Sequence, residues 1–168
     1  IAWLFDEFKK AIELRGGVAS DEIIAGALRY QFLKVKIGSD MVFDITEAVS
    51  LTGNTGSYLQ YAHARARSIL KKISLPVATI NEVRDEDREL IRKLGDYHEI
   101  IQLATRSLEP HHVCTYLFEL AQTFNRYYEH NQVVGSEFEA HRAGLVALYA
   151  DTLEAGLYVL GIKAPESM

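Results

Sequence analysis

The sequence is short of several residue types, and each shortage excludes a class of protein. Its single cysteine, Cys114, cannot form an internal disulfide, which indicates a reducing compartment such as the cytoplasm. Three prolines and eleven glycines in 168 residues argue against a disordered chain. No apolar run approaches the length of a membrane span, and no signal-peptide pattern opens the chain. The composition predicts a globular cytoplasmic protein with no membrane partner.

Acidic residues outnumber basic residues in the whole chain, but one stretch contains only basic ones. The 18 Lys and Arg against 23 Asp and Glu give a formal net charge of −5, which argues against binding nucleic acid by bulk charge. Between Ala48 and Asn81, however, there is no Asp or Glu, whereas Arg65, Arg67, Lys71 and Lys72 all lie there. This stretch is either a helix with a basic end that suits the helix dipole or a local nucleic-acid surface.

A helix is expected to begin within this stretch, between Thr55 and Tyr58, because side chains there can accept bonds from free backbone N–H groups. Its buried face is predicted from apolar residues at helical spacing: Leu59, Ala62, Ala66, Ile69, Leu70 and Ile73. A second stripe at helical spacing is polar and aromatic: Tyr61, Arg65, Ser68 and Lys72, widened by Gln60, His63, Arg67 and Lys71. Rings and guanidinium groups on one face can stack on bases and neutralise phosphates together.

The first third of the chain also follows helical patterns. A helix is predicted over residues 1–15, and Ser20 caps a second helix whose buried residues include Phe32. Residues 41–43 are apolar and predict either a short strand or a buried loop. A further short helix is expected after them.

The rest of the chain predicts three more long helices and hence an all-α helical bundle. One is expected over residues 85–108, with an acidic first turn. Pro110 begins the next, whose inward stripe includes Tyr128. Residues 135–136 are expected to cap the last helix, which ends at Gly161.

Motifs for catalysis or metal binding are weak. Glu109 and His112 have the spacing of a carboxylate–histidine metal pair, but they straddle Pro110. Glu137 and His141 lie four residues apart, where such pairs usually face solvent. Cys114 lies in an apolar pattern with no signal of thiolate activation. The sequence predicts no catalytic residue and no metal ligand.

A family resemblance begins at residues 53–65, which read Gly-Asn-Thr-Gly-Ser-Tyr-Leu-Gln-Tyr-Ala-His-Ala-Arg. This run closely resembles the start of the C-terminal anticodon-binding domain of arginyl-tRNA synthetases, a DALR-type helical domain of class I aminoacyl-tRNA synthetases. Residues 109–111, 116–121 and 164–168 are also similar to that family. Ser167 departs from it, since the family usually ends Pro-Glu-Arg-Met, so no role of that arginine transfers.

The resemblance implies a division of the chain. Residues 1–52 correspond to a linking subdomain after the catalytic core, whose packing partner is missing, and residues 53–168 to the anticodon-binding domain. Because the chain begins at Ile1 rather than methionine, it is expected to be part of a longer protein. The family's catalytic signatures, His-Ile-Gly-His and Lys-Met-Ser-Lys, are absent, so this part alone is expected to be inactive and without a cofactor. ATP and magnesium would serve the parent enzyme.

The implied partners are the anticodon loop of arginine tRNA and the chain's own upstream catalytic domain, and not DNA. Tyr61 and Arg65 match positions that contact the anticodon loop. Tyr128 matches a position lining a pocket for an anticodon base, and Met168 a terminal methionine near that pocket. The candidates for phosphate contacts are Arg67, Lys71 and Lys72.

Each of these residues has a competing structural interpretation. The tyrosines could be core residues, and the basic residues ordinary solvated charge. Two other functions also stay open: a protein–protein docking module that uses the same face, and the related anticodon domain of a cysteinyl-type synthetase.

Overall fold

The structure, a computed structural model, describes residues 2–17, 19–74, 80 and 82–168. In these ranges it consists of eight α-helices and one 3₁₀ turn, and it has no strand. The predicted all-α class is therefore confirmed. The helices are α1 (Ala2–Glu13), α2 (Asp21–Leu33), α3 (Ile45–Ala48), α4 (Gly56–Leu70), α5 (Arg88–Gly95), α6 (Tyr97–Ser107), α7 (His111–His130) and α8 (Glu139–Val159), with the 3₁₀ turn at Asp85–Asp87.

Helices α1, α2 and α3 share a small apolar cluster that contains Phe8 and Ile24. Ser20 caps α2 as predicted, since its side chain accepts a bond from the backbone N–H of Ile23. The prediction that Phe32 is buried is wrong, because its side chain is 53% exposed. Tyr30 is the buried aromatic residue of α2, and its hydroxyl lies 2.9 Å from the Cys114 carbonyl on α7.

The larger core is built around α4, which packs against α2, α7 and α8. The crossing of α2 and α4 depends on two glycines. A Cβ on Gly56 would lie 2.7 Å from the carbonyl oxygen of Gly26 and 2.8 Å from Cβ of Tyr30. A Cβ on Gly26 would lie 2.6 Å from Nε2 of Gln60. The two backbones can approach this closely only because neither position has a side chain.

Several predicted boundaries differ from the structure. The helix expected over residues 85–108 is a 3₁₀ turn followed by α5 and α6, which are separated at Asp96. Leu108 is not buried: it is 77% exposed and ends α6 in a left-handed conformation, with φ 57°. Helix α8 begins at Glu139, because the Ser136 hydroxyl donates to the carbonyl of Val133 rather than capping a helix.

Residues 41–43 form neither a strand nor a buried loop. Val42 is 93% exposed, while Phe43 stacks on Phe32 with ring centroids 5.7 Å apart. In the part of the chain that the structure describes, no helix is both long and apolar enough to cross a membrane. The division between residues 52 and 53 stays a prediction; α2 contributes both to the small cluster and, through Tyr30, to the larger core.

Replacing Gly56 by alanine is expected to lower the free energy of unfolding by about 1–3 kcal/mol, because the new methyl group must displace backbone atoms of α2. Gly95 is the matched control. No atom lies within 4 Å of the place that a Cβ on Gly95 would take, so Gly95→Ala should be neutral or stabilising by up to about 1 kcal/mol. Urea unfolding followed by circular dichroism measures the unfolding free energy of both variants. Equal changes in Gly56→Ala and Gly95→Ala would contradict the close approach of α2 and α4 at Gly56.

Cys114 is expected to resist thiol reagents until the chain unfolds. Its side chain is fully buried, and burial raises the pKa of the thiol to about 12. At pH 8 only about one molecule in ten thousand would carry the thiolate, against about one in four for an ordinary cysteine. Reaction with a disulfide reagent should therefore follow the urea unfolding curve, and rapid labelling of the native chain would contradict this burial.

Candidate functional site

Helix α4 begins at Gly56, within the range from Thr55 to Tyr58 that the sequence indicated. The Thr55 hydroxyl accepts a bond from the backbone N–H of Tyr58 at 3.0 Å, which caps the first turn. From this start, Tyr61 and Arg65 lie one turn apart on the same side of the helix. Both side chains are exposed, Tyr61 to 38%.

The predicted polar stripe of α4 is narrower than the sequence suggested. Gln60 and His63, which were expected to widen it, are fully buried. Gln60 Nε2 donates to the carbonyl of Lys163 at 2.9 Å, and His63 Nδ1 lies 2.8 Å from the carbonyl of Pro165. Both side chains are buried because they bind the C-terminal segment, a contact that no local pattern signals.

Arg67 is committed to carboxylates of α8 and of the C-terminal segment. Its guanidinium lies 3.0 Å from Asp151, 2.6 Å from Glu154 and 3.5 Å from Glu166, and only 19% of its side chain is exposed. Lys71 lies 3.7 Å from the same Glu166 carboxylate. These ion pairs argue against the predicted phosphate contacts of Arg67 and Lys71, because the cations already have anionic partners.

Arg65 is placed differently from Arg67. Among the described residues it has neither an ion pair nor a hydrogen bond, and its guanidinium carbon lies 5.2 Å from the centre of the Tyr128 ring. Tyr128 is half-buried and also stacks on Phe124, with centroids 6.1 Å apart. Beside them, Asn125 Nδ2 donates to the Tyr58 hydroxyl at 2.8 Å. An aromatic face and an uncompensated cation thus meet between α4 and α7.

Tyr61 lines a cavity of about 420 Å³ between α4, α1 and the segment after α3. Apolar side chains such as Ile12 and Val49 form much of its wall, with Ser57, Thr52 and Arg15 among the polar residues. The volume is within the range of small-molecule pockets. Sequence analysis did not find Arg15, which reaches the cavity from the end of α1.

Met168 lines the same cavity as Tyr61 and is 45% exposed. The structure therefore places Met168 with Tyr61 rather than with Tyr128, which is not among the residues lining that cavity. Tyr61, which lies one helical turn from Arg65, stands between the cavity that contains Met168 and the contact of Arg65 with Tyr128. Lys72 is exposed near the end of α4 and, within the described ranges, has no anionic partner.

Two histidines outside α4, His112 and His141, lie against carboxylates. Ligand atoms of Glu109, His111 and His112 lie within 4.8 Å of one another. They stand at the N-terminal turn of α7, where the positive end of the helix dipole disfavours a cation, so we assign no metal to them. His141 does not face solvent with Glu137 as predicted: its Nε2 lies 2.7 Å from the fully buried Asp87 carboxylate.

Comparison with known proteins identifies the family. Residues 59–168 match the model of the DALR anticodon binding domain. This chain belongs to that family.

Full-length relatives extend the similarity over nearly the whole chain. The arginine–tRNA ligase of Thermobifida fusca is 40% identical over 163 residues, which cover 93% of this chain and 28% of the relative. That of Pyrococcus furiosus is 34% identical and covers 88% of this chain and 25% of the relative. The chain therefore spans about a quarter of the length of these relatives, and it matches their C-terminal part.

The solved structures agree. The arginyl-tRNA synthetase of Thermus thermophilus superposes with a TM-score of 0.87 at 30% identity, covering 99% of this chain and 32% of that one. Because this match covers 99% of the chain, it extends over the α1–α3 region, which lies before the DALR match, so that region belongs to the same shared architecture.

The two arginines of α4 are expected to differ in their effect on stability. Arg67→Ala removes the donor to His63 Nε2 and the partner of three carboxylates, and it should cost about 1–2 kcal/mol of unfolding free energy. Arg65→Ala loses only an exposed cation–π contact and should cost less than about 1 kcal/mol. Urea unfolding of both variants tests this, and an equal loss would contradict the assigned partners.

Proposed function

We propose that this DALR domain binds the anticodon loop of an arginine tRNA as the C-terminal part of a cytoplasmic arginine–tRNA ligase. The observation that supports it most directly is the contact between Arg65 and Tyr128. A guanidinium without a carboxylate partner can take a phosphate, and the adjacent ring offers a face for an unstacked base. The family match favours this function over a protein-docking module.

The binding surface in this proposal runs along α4 from the cavity to Tyr128. Tyr61 and Met168 stand at the cavity, Arg65 and Tyr128 lie beyond them, and Lys72 extends the line with a second uncompensated charge. Base recognition would rest on stacking and on hydrogen bonds to base edges, while Arg65 and Lys72 hold phosphates. Arg67 and Lys71 have no direct part, because they are paired with carboxylates.

Catalysis is assigned to the part of the enzyme that precedes this domain. The family's ATP and magnesium would bind there, since the chain contains neither catalytic signature. This domain would contribute selection of the tRNA, with the cytosine in the middle of the anticodon as the base whose identity matters.

Binding to an anticodon stem-loop of arginine tRNA, measured by fluorescence anisotropy, tests the proposal. The stem-loop with the middle cytosine should bind more tightly than one in which that base is changed. Tyr128→Leu keeps apolar volume in the core but removes the ring, so it should weaken binding about tenfold or more, as expected for loss of one stacked base. Arg106→Ala, an exposed arginine on α6, serves as the charge control and should leave the affinity unchanged.

Salt dependence separates the two roles. If Arg65 contacts a phosphate, Arg65→Ala should reduce the slope of log K against log salt by about 0.7, while Tyr128→Leu leaves the slope unchanged. Equal binding of both stem-loops, or equal effects of Arg65→Ala and Arg106→Ala, would contradict the proposed surface.

A further inference from the structure

The segment after α8 is held on α4 by side chains. Among the described residues 163–168, no backbone group bonds to another backbone group. Three carbonyls of the segment have side-chain partners: Gln60 bonds to that of Lys163, His63 to that of Pro165, and Lys71 Nζ to that of Glu166 at 3.4 Å. Two of these three donors are completely buried. Loss of either one would leave a carbonyl without its partner.

The contact with Arg67 determines which ring nitrogen of His63 carries the proton. Arg67 Nε lies 3.2 Å from His63 Nε2, and a guanidinium nitrogen can only donate a hydrogen bond. Nε2 must therefore accept, so the proton of the neutral ring is on Nδ1 and points to the Pro165 carbonyl. Arg67 is itself held by Asp151 and Glu154 of α8. Its ion pairs thus orient the imidazole that binds the segment.

We propose that Gln60 and His63 are positioning residues: they hold residues 162–168 against α4 and so set Met168 as a wall of the Tyr61 cavity. The segment has an apolar anchor at Ile162, which is 2% exposed. Beyond it, Gln60 and His63 are the fully buried donors that hold the chain on its course toward Met168, whereas the ion pairs of Lys163 with Glu22 and of Glu166 with Arg67 and Lys71 involve exposed carboxylates. This inference rests on the proposed function, because the wall matters for binding only if the anticodon loop uses that cavity. It also gives Arg67 a role in binding without contact to RNA.

A spin label on residue 167 reports the segment directly. Ser167→Cys provides an exposed thiol, and Cys114 is buried, so labelling should be selective. In this background His63→Leu removes the donor while keeping apolar volume. The ratio of mobile to immobile label should rise at least about tenfold, as expected when one buried carbonyl loses its partner. His63→Asn can place an amide N–H near the position of Nδ1 and should restore most of the immobile signal.

A matched control separates this effect from general loosening of the core. Gln31 is 5% exposed on α2, and its Nε2 has no partner among the described residues. Gln31→Leu therefore makes a comparable buried polar-to-apolar change without touching the segment, and the label should stay immobile. A label that is equally immobile in His63→Leu and in the unaltered background would overturn the proposal, whatever affinity the variant has for the stem-loop.

Stem-loop affinity of the unlabelled proteins completes the test. His63→Leu and a deletion of residues 167–168 should each weaken binding by a similar factor, and the combined variant should bind no more weakly than either, because both act through the position of Met168. The positioning role would be overturned if the affinity losses of the two single variants multiplied in the combined variant. It would also be overturned if a variant with a mobile label kept full affinity for the stem-loop. Failure of the unaltered chain to bind any stem-loop would instead refute the proposed function, which the label measurement does not depend on.

Discussion

The need to satisfy buried polar groups on α4 governs the arrangement of the helices around it. This helix lies between α2, α7 and α8, yet it carries Gln60, His63 and Arg67 on covered sides. Gln60 Nε2 and His63 Nδ1 bond to carbonyls of the C-terminal segment, and Arg67 pairs with carboxylates of α8, although Gln60 Oε1 has no partner among the described residues. An unpaired polar group at such positions would cost more than any single apolar contact supplies. The close approach at Gly26 and Gly56 then brings α2 against the same helix.

Local signals predicted the helices well where the cause is local. Ser20 caps the helix that the sequence assigned to it, and Thr55, one of the possible caps before α4, caps that helix, because capping needs only a side-chain oxygen and the next free N–H groups. Errors arose where packing decides. Phe32 and Leu108 are apolar and at helical spacing, but the surfaces that would cover them are not present around them in this fold. Tyr30 is buried instead because α4 and α7 enclose it, and its hydroxyl has partners in the Asn54 side chain, just before α4, and the Cys114 carbonyl on α7.

The candidate site was predictable through the family resemblance rather than through charge. The absence of acidic residues between Ala48 and Asn81 suggested a basic face, but Asp151, Glu154 and Glu166 return to α4 from more than seventy residues away and neutralise Arg67 and Lys71. A stretch of sequence without acidic residues therefore does not by itself predict a basic surface in the folded protein. Among the residues that the structure describes, Arg65, at the Tyr128 ring, and Lys72 have no carboxylate partner. The role of these residues in RNA binding is a prediction that the geometry makes specific.

A net charge of −5 has a consequence for how such a surface would bind RNA. Each phosphate that a protein neutralises adds affinity without regard to sequence, so a strongly basic domain binds many RNAs about equally well. Here Arg67 and Lys71, two of the four cations on or just after α4, are paired internally, so few phosphate contacts are available. Affinity must then come mainly from stacking and from contacts in the cavity beside Tyr61, which depend on which bases are unstacked and presented. If the domain binds RNA as proposed, internal neutralisation of Arg67 would both help to hold the C-terminal segment in place and suppress nonspecific binding, so that discrimination between anticodon loops would come with lower overall affinity.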